Sequence, residues 1–306
     1  MNYVKLIAPA KINLVLAIGK KLPDGYHEAH TILHALSLHD TLEIRRRELD
    51  SEQGEGLVIA ISCETAEGID DLSISPEENI IYRAALELAK AIGYNKNEQL
   101  DITLNKQIPH QAGLGGGSSD AAATLKGLAQ LWEIDPQNPV LIDVAARLGA
   151  DVPFFLYGGC AYLDGKGDQF VHALEPRKGF LVLVRPFGSG VSTKEAYRCF
   201  DEAPEYPSPA FIEEVATLTC ANDISPWNNL TPASLKIKPE LQDVFSLLEG
   251  SAHAQSVLLS GSGSAVAALC NDYESACSLS VEAHKAGYYS RVTSFASLGA
   301  EVLKKY

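Results

Sequence analysis

The chain has 306 residues, with 25 Lys and Arg against 39 Asp and Glu and a formal net charge of −14. That balance, with Arg45, Arg46 and Arg47 as the one dense basic cluster, supplies no continuous basic face for nucleic acid and no polybasic membrane anchor. At about 150 residues per domain the length implies two domains, enough to bury roughly three quarters of the extended chain's surface without a disulfide or metal staple.

The six cysteines (Cys63, Cys160, Cys199, Cys220, Cys270, Cys277) are scattered, with no C-x-x-C pair. They read as reduced, mostly buried thiols of a cytoplasmic protein. Ala8-Pro9-Ala10 has the form of a signal cleavage site, but the apolar segment before it is too short. No run reaches the roughly 18 apolar residues of a membrane helix, so a soluble protein is expected.

In chain order, Val4 to Ile7, Ile12 to Ile18, Thr31 to Leu38 and Thr41 to Ile44 read as short strands. Strand alternation sets Lys11, Asn13 and Val15 on one face and Ile12, Leu14 and Leu16 on the core face. The polar stretch from Arg45 to Ser75 is interrupted by Leu57 to Ser62, read as a hairpin. Ser75-Pro76-Glu77-Glu78 predicts a helix start, and Ile80, Ile81, Ala84, Ala85, Leu88 and Ile92 keep one apolar face until Gly93. A strand (Asp101 to Leu104) follows. A second helix then carries Ala122, Leu125, Leu128, Ala129 and Trp132 at helical spacing, and a third runs from about Val140 to Leu148, with Gly149 after it. Val152 to Tyr162 and Phe180 to Val184 hold no charged residue and read as buried strands. After a loop-rich stretch to Asn229 come a helix (Pro239 to Leu248), two strands (Ser256 to Leu259, Ala265 to Leu269), a helix (Tyr273 to Ala286) and a strand (Arg291 to Phe295). Together they suggest a compact α+β second domain.

Between the Asp101 to Leu104 strand and the second helix lies Pro109-His110-Gln111-Ala112-Gly113-Leu114-Gly115-Gly116-Gly117-Ser118-Ser119-Asp120-Ala121-Ala122, with four glycines and two serines. Glycines let backbone N–H groups approach an oxyanion, and the following helix directs its positive end at the same point. No Gly-Lys-Ser/Thr follows, and Ser118 stands where a dinucleotide fingerprint needs its third glycine, so neither familiar phosphate motif applies. A second small-residue run, Leu259-Ser260-Gly261-Ser262-Gly263-Ser264-Ala265, reads either as a tight hairpin turn or as part of a site. His27-Glu28-Ala29-His30 is one residue short of H-E-x-x-H, so no protein-bound transition metal is expected.

Pro9-Ala10-Lys11-Ile12-Asn13-Leu14, Gly113-Leu114-Gly115-Gly116-Gly117-Ser118-Ser119 and Gly261-Ser262-Gly263 resemble, in order, the three motifs of the GHMP kinase superfamily. Asp24-Gly25-Tyr26-His27 and Leu148-Gly149-Ala150-Asp151-Val152-Pro153-Phe154-Phe155 are similar to the branch that phosphorylates the 2-hydroxyl of 4-diphosphocytidyl-2-C-methyl-D-erythritol in the non-mevalonate isoprenoid route. Ser264 departs from the proline of many members, at a backbone-shaping position. The resemblance implies an α+β, two-domain GHMP kinase fold, with a ribosomal protein S5 domain 2-like N-terminal domain and a ferredoxin-like C-terminal one. Residues 1–165 would bind ATP and catalyse, and residues 166–306 would form the substrate side.

By the same resemblance Lys11 and Asp151 are the catalytic pair, with Asp151 as the base. Pro109, Gly113, Leu114, Gly115, Gly116, Gly117, Ser118 and Ser119 hold ATP, with Lys106 and Asn79 lining the adenine pocket. Mg²⁺ comes with ATP and touches Ser118 or Ser119. Tyr26 and Tyr197 stack on the cytosine, His27 bonds its edge, and Asn13, Gly261, Ser262 and Gly263 complete the acceptor site. Asn79 reads equally as a helix-start residue. The alternatives are a homoserine- or mevalonate-type kinase, which needs no nucleobase pocket, and a non-catalytic nucleotide-binding regulator, in which loss of Lys11 or Asp151 is expected. Both ligands are polyanions, so an acidic chain needs a small basic, glycine-lined cleft built from Lys11 and Lys106.

Overall fold

The computed structural model describes residues 1–49, 56–69, 75 and 78–306. The four short strands expected at the start are two long ones, β1 (Tyr3–Lys21) and β2 (His27–Glu48), paired antiparallel. Pro9 does not break β1, because the register shifts between Pro9 and Lys11 and the ladder resumes beyond. At this bulge the Lys11 N–H donates instead to Leu114 O at 2.9 Å. A second shift between Asn13 and Val15 reverses the expected alternation. Leu16, not Val15, joins Lys11 and Asn13 along the cleft, and Val15 packs in the core.

Strand β3 (Leu57–Thr65) is no hairpin arm. It pairs in parallel with β4 (Glu98–Lys106), and a parallel pair needs a crossover, which here carries helix α1 (Ile80–Ala91). That helix starts later than expected. Asn79 is its cap, accepting from the Ile81 N–H at 2.9 Å, while Ser75 Oγ donates to the Glu78 side chain at 3.1 Å. Pro76 and Glu77 of the expected helix start lie outside the described residues.

Helices α2 (Gly116–Leu131) and α3 (Pro139–Leu148) fall where periodicity predicts. Residues 152–162 are not one strand. They form helix α4 (Val152–Tyr157), a turn through Gly158 at φ 76° and Gly159 at φ 69°, and strand β5 (Cys160–Asp164). An uncharged run has no period to separate buried helix from buried strand, and Pro153 suits a helix's first turn. The chain continues through β6 (Gln169–Leu174), β7 (Phe180–Arg185), α5 (Thr193–Glu202), α6 (Pro209–Thr217), β8 (Trp227–Asn228), α7 (Thr231–Ile237), α8 (Glu240–Glu249), β9 (Ala254–Leu259), β10 (Val266–Cys270), α9 (Tyr273–Lys285), β11 (Tyr289–Ser294) and β12 (Glu301–Lys305).

Among the described residues the strands form two sheets. The larger has the order β12-β1-β2-β4-β3, with β5 and β6 extending from β2 and β8 beside β1. The smaller is antiparallel, order β11-β7-β10-β9. With α5 to α8 before β9 and α9 before β11, its path is βαββαβ, the ferredoxin-like arrangement expected for this half.

Three apolar clusters hold the layers together. One packs β1, β2 and β4 against α1 to α4, with α2 at its centre. A second joins the smaller sheet to α5, α7, α8 and α9. The third bridges the two sheets, setting Ala10, Ile12 and Leu14 of β1 with Leu181, Leu183 and Leu258 of the smaller sheet. A fully buried Leu or Ile contributes about 1.5–3 kcal/mol, so this shared cluster fixes the line between the sheets where both glycine-rich segments lie.

Candidate active site

The bulges in β1 place a lysine where a strand would ordinarily bury an apolar side chain. Lys11 is 4% exposed, and its Nζ donates to Asn13 Oδ1 at 2.5 Å and lies 3.6 Å from Asp151 Oδ2. Asn13 is itself oriented, because its Nδ2 donates to Thr31 Oγ1 at 2.9 Å and Thr31 Oγ1 donates to Val15 O at 2.7 Å. That chain of donors turns the Asn13 carbonyl toward the ammonium. Asp151 stands one residue before α4, and its side chain is 34% exposed. The pair therefore has a buried cation and a carboxylate that reaches the cleft.

The two glycine-rich segments form one structure. Ala265 N–H donates to Ala112 O at 3.0 Å, and Ser260 Oγ donates to Gly113 O at 2.9 Å. Gly113 has φ +76°, and a Cβ there would stand 1.9 Å from Ser260 O. Only glycine fits both conditions. Gly115, at φ 69°, caps α2, and a Cβ on it would meet Phe155 at 2.8 Å and Lys11 Cγ at 2.9 Å. The start of α2 is thus drawn close to Lys11.

Gly113, Gly115 and Ser118 line a cleft cavity of about 350 Å³ with Lys11, Asn13 and Asp151, and Gly261 and Ser262 close its other side. Ser119 Oγ is buried and has no hydrogen-bond partner among the described residues. Leu114 is buried behind the loop, and Gly116 and Gly117 form the first turn of α2.

Lys106 corrects the expected basic cleft. Its side chain is 3% exposed, with the ammonium held by Asp40 and by Asp120 Oδ2, the latter at 2.7 Å. Asp40 Oδ1 also accepts from the Gln107 and Ile108 N–H groups at 2.5 and 2.8 Å. Burial opposes the Lys106 charge, but the two carboxylates outweigh it and raise its pKa. Burial, opposed by Lys106 and reinforced by the Asp40 charge, pushes the Asp120 carboxyl above the usual carboxylate range. The Lys106 ammonium braces the loop from beneath and does not line the cleft. Asn79 caps α1, Pro109 is buried, and neither lines the two cavities described here.

A second cavity, of about 680 Å³, shares Ala150, Lys166, Thr193 and Tyr197 with the first, so the two form one trough. Tyr26 and His27 line its outer end, and Tyr197 stands where the two cavities meet. Tyr26 is 64% exposed, and Lys166 Nζ sits 4.4 Å from its ring centroid while pairing with Asp24 at 2.5 Å. His27 is buried, with its ring 5.1 Å from that of Tyr197. Burial, with the Asp151 charge, pushes the Tyr197 hydroxyl up to about 12, so it stays a neutral donor. His27 Nε2 contacts Asp201 Oδ1 at 2.6 Å, and Lys21 Nζ holds Asp201 Oδ2 at 2.7 Å.

The structure therefore brings Lys11, Asn13, Asp151, Gly113, Gly115, Ser118, Gly261 and Ser262 together at one end, and Tyr26 and His27 at the other, with Tyr197 between them. Gly263 follows in the same turn, outside the cavity lining. Sequence reasoning missed Asp40, Asp201, Lys166 and Thr31, which carry no local motif. Asp120 stood inside the glycine-rich segment itself, and only its burial reveals its task.

Comparison with known proteins places this geometry. The family model described as the GHMP kinases N terminal domain matches residues 79–159. The 4-diphosphocytidyl-2-C-methyl-D-erythritol kinase of Desulfitobacterium hafniense is 36% identical over 296 residues, covering 95% of this chain and 96% of that protein. A crystal structure of 4-(cytidine 5'-diphospho)-2C-methyl-D-erythritol kinase superposes with a TM-score of 0.73 at 32% identity, covering 95% of this chain and 99% of that one. A homoserine kinase from Cytophaga hutchinsonii has a TM-score of 0.72 at 20% identity, covering 99% and 98%, a likeness of fold.

Proposed function

Because the chain belongs to the 4-diphosphocytidyl-2-C-methyl-D-erythritol kinase family within the GHMP kinases, we propose that its trough binds that acceptor lengthwise, cytosine outward and 2-hydroxyl inward. The protein is an ATP-dependent small-molecule kinase of isoprenoid precursor biosynthesis, with the GHMP kinase fold. One observation carries the assignment of parts. The Lys11 and Asp151 pair, 3.6 Å apart, stands at one end of a trough that has Tyr197 at its middle and presents a tyrosine ring and an imidazole, Tyr26 and His27, at its other end.

Phosphoryl transfer needs in-line positioning, stabilisation of charge and a group to take the hydroxyl proton. Asp151 takes that proton, being the carboxylate that reaches the cleft. Lys11 holds Asp151 in place and donates toward the acceptor oxygen as its negative charge develops. Asn13, fixed by Thr31, keeps the ammonium aimed. The glycine loop and the start of α2 offer backbone N–H groups to the triphosphate. Gly115 fits that task, since any side chain there would strike Phe155 and Lys11. Mg²⁺, bound with ATP, would neutralise phosphate charge, and Ser118 on the cleft with the unpartnered Ser119 Oγ are the residues suited to meet it. Tyr26 and Tyr197 hold the cytosine and His27 reads its edge, with Gly261 and Ser262 beside the methylerythritol. The same reading assigns nucleotide binding and catalysis to residues 1–165, the substrate side to residues 166–306, and a cytoplasmic location.

The test is ADP release measured with a panel of acceptors. Turnover is expected with the cytidine-diphosphate-linked methylerythritol and not with homoserine or mevalonate. Turnover with either of those alone would overturn the acceptor assignment.

A further inference from the structure

Two residues far apart in sequence converge on the base-reading histidine. Asp201 lies in the last turn of α5, 174 positions after His27. Its Oδ1 is 2.6 Å from His27 Nε2, and its Oδ2 takes a hydrogen bond from Lys21 Nζ at 2.7 Å. A carboxylate is only an acceptor, so the hydrogen between Asp201 and His27 belongs to Nε2. The Lys21 ammonium also pairs with this carboxylate, and the imidazole completes the contact by donating from Nε2. Burial raises the Asp201 pKa, but the bonds from Lys21 and His27 outweigh it and hold Asp201 below the usual carboxylate range, which keeps it an acceptor. In the neutral imidazole the other nitrogen, Nδ1, then carries the lone pair. His27 lines the outer cavity beside Tyr26 and Tyr197, where a stacked base would meet its ring.

We propose that Asp201 is a positioning residue that selects cytosine over uracil, by fixing His27 in the tautomer whose Nδ1 accepts a hydrogen bond from the 4-amino group. Uracil carries an oxygen at that position, and two acceptors repel. The opposite tautomer would donate from Nδ1 and accept the uracil oxygen. Identity of the base is thereby read through a residue that never touches it, as a metal-bound histidine is tuned through its outer hydrogen bond. Losing one such match costs roughly 10- to 100-fold in affinity. The inference rests on the reading that the outer cavity holds a cytidine diphosphate group.

Calorimetry with cytidine diphosphate and uridine diphosphate tests it without requiring turnover. The wild-type protein is expected to prefer cytidine diphosphate by at least about tenfold. Asp201→Asn, whose amide can either accept from Nε2 or donate to it, is expected to shrink that preference to about threefold or less, with the KM for ATP unchanged. A merely structural Asp201 would weaken both ligands equally and leave the ratio intact, which would overturn the proposal. A long-range ¹H–¹⁵N spectrum of the wild-type protein supplies an independent reading. The proton on His27 must be found on Nε2 with Nδ1 bare, and a proton on Nδ1 overturns the proposal even if the variant fails to fold. Selective binding of cytidine diphosphate without phosphorylation of its methylerythritol conjugate would instead sink the kinase acceptor assignment and leave the tautomer argument standing.

Discussion

Lys11 and Lys106 are both buried lysines paired with aspartates beside the same glycine loop, yet they do opposite things. Lys11 meets a single carboxylate, Asp151, at 3.6 Å, and that carboxylate is one third exposed. Lys106 meets two, Asp40 and Asp120, which are 0% and 4% exposed. The first arrangement leaves a donor and an acceptor for a substrate. The second consumes the ammonium's capacity internally and ties the end of β4 to β2 and to the first turns of α2. Residue type and burial alone do not tell the two lysines apart; the exposure of their partners does, and it is the basis for proposing a catalytic role for Lys11 and a structural one for Lys106.

Four experiments would break or sharpen that contrast. The largest effect is expected for Asp151→Ala, which should lower kcat by about 10²–10⁴-fold while ATP binding by calorimetry and the thermal midpoint stay close to wild type. An active variant would remove the base. Lys106→Met should instead appear in stability, since it leaves two carboxylates buried together; urea unfolding is expected to show a loss of about 3–5 kcal/mol. A loss of turnover with unchanged stability would make Lys106 a second catalytic lysine and erase the contrast. Gly113→Ala comes next. The left-handed backbone alone costs about 1–3 kcal/mol, and the contact with Ser260 O adds to it, so a weaker fold and a raised KM for ATP are expected together.

The smallest effect concerns pH. Burial, opposed by Lys106, raises the Asp120 carboxyl in the folded protein above its unfolded value of about 4. A raised carboxyl pKa stabilises the native state fully below the unfolded value. As pH rises above about 4 the unfolded chain releases this proton while the native state keeps it, so stability falls with rising pH. Asp120→Asn removes the titration. Its denaturation midpoints should decline less between pH 5 and 8 than those of wild type, and parallel declines would place the proton elsewhere.

Much of this was legible in the sequence because it rests on local chemistry. The glycine loop, the start of α2 and the 9–14 motif each announce themselves within a few residues. The helical periodicity of α1, α2 and α9 reports which face is buried. What stayed hidden depends on partners distant in the chain. Nothing near Asp201 signals His27, and nothing near Asp40 signals Lys106, 66 positions away. The bulges of β1 were equally invisible, since a single register shift exchanges Val15 for Leu16 without altering the apolar pattern. The uncharged run at 152–162 misled because burial erases the alternation by which strands are recognised.

The bond between the two glycine-rich segments also sets a timetable. A ribosome adds about 5–20 residues per second, so the loop around Gly113 waits on the order of 10 s before Ser260 and Ala265 are made. Strand β12, at residues 301–305, pairs with β1 and is made later still. A nascent chain thus has the sequence of the glycine loop long before it has the partners that shape it, and a polypeptide released early lacks the bonds that join the loop to Ser260 and Ala265.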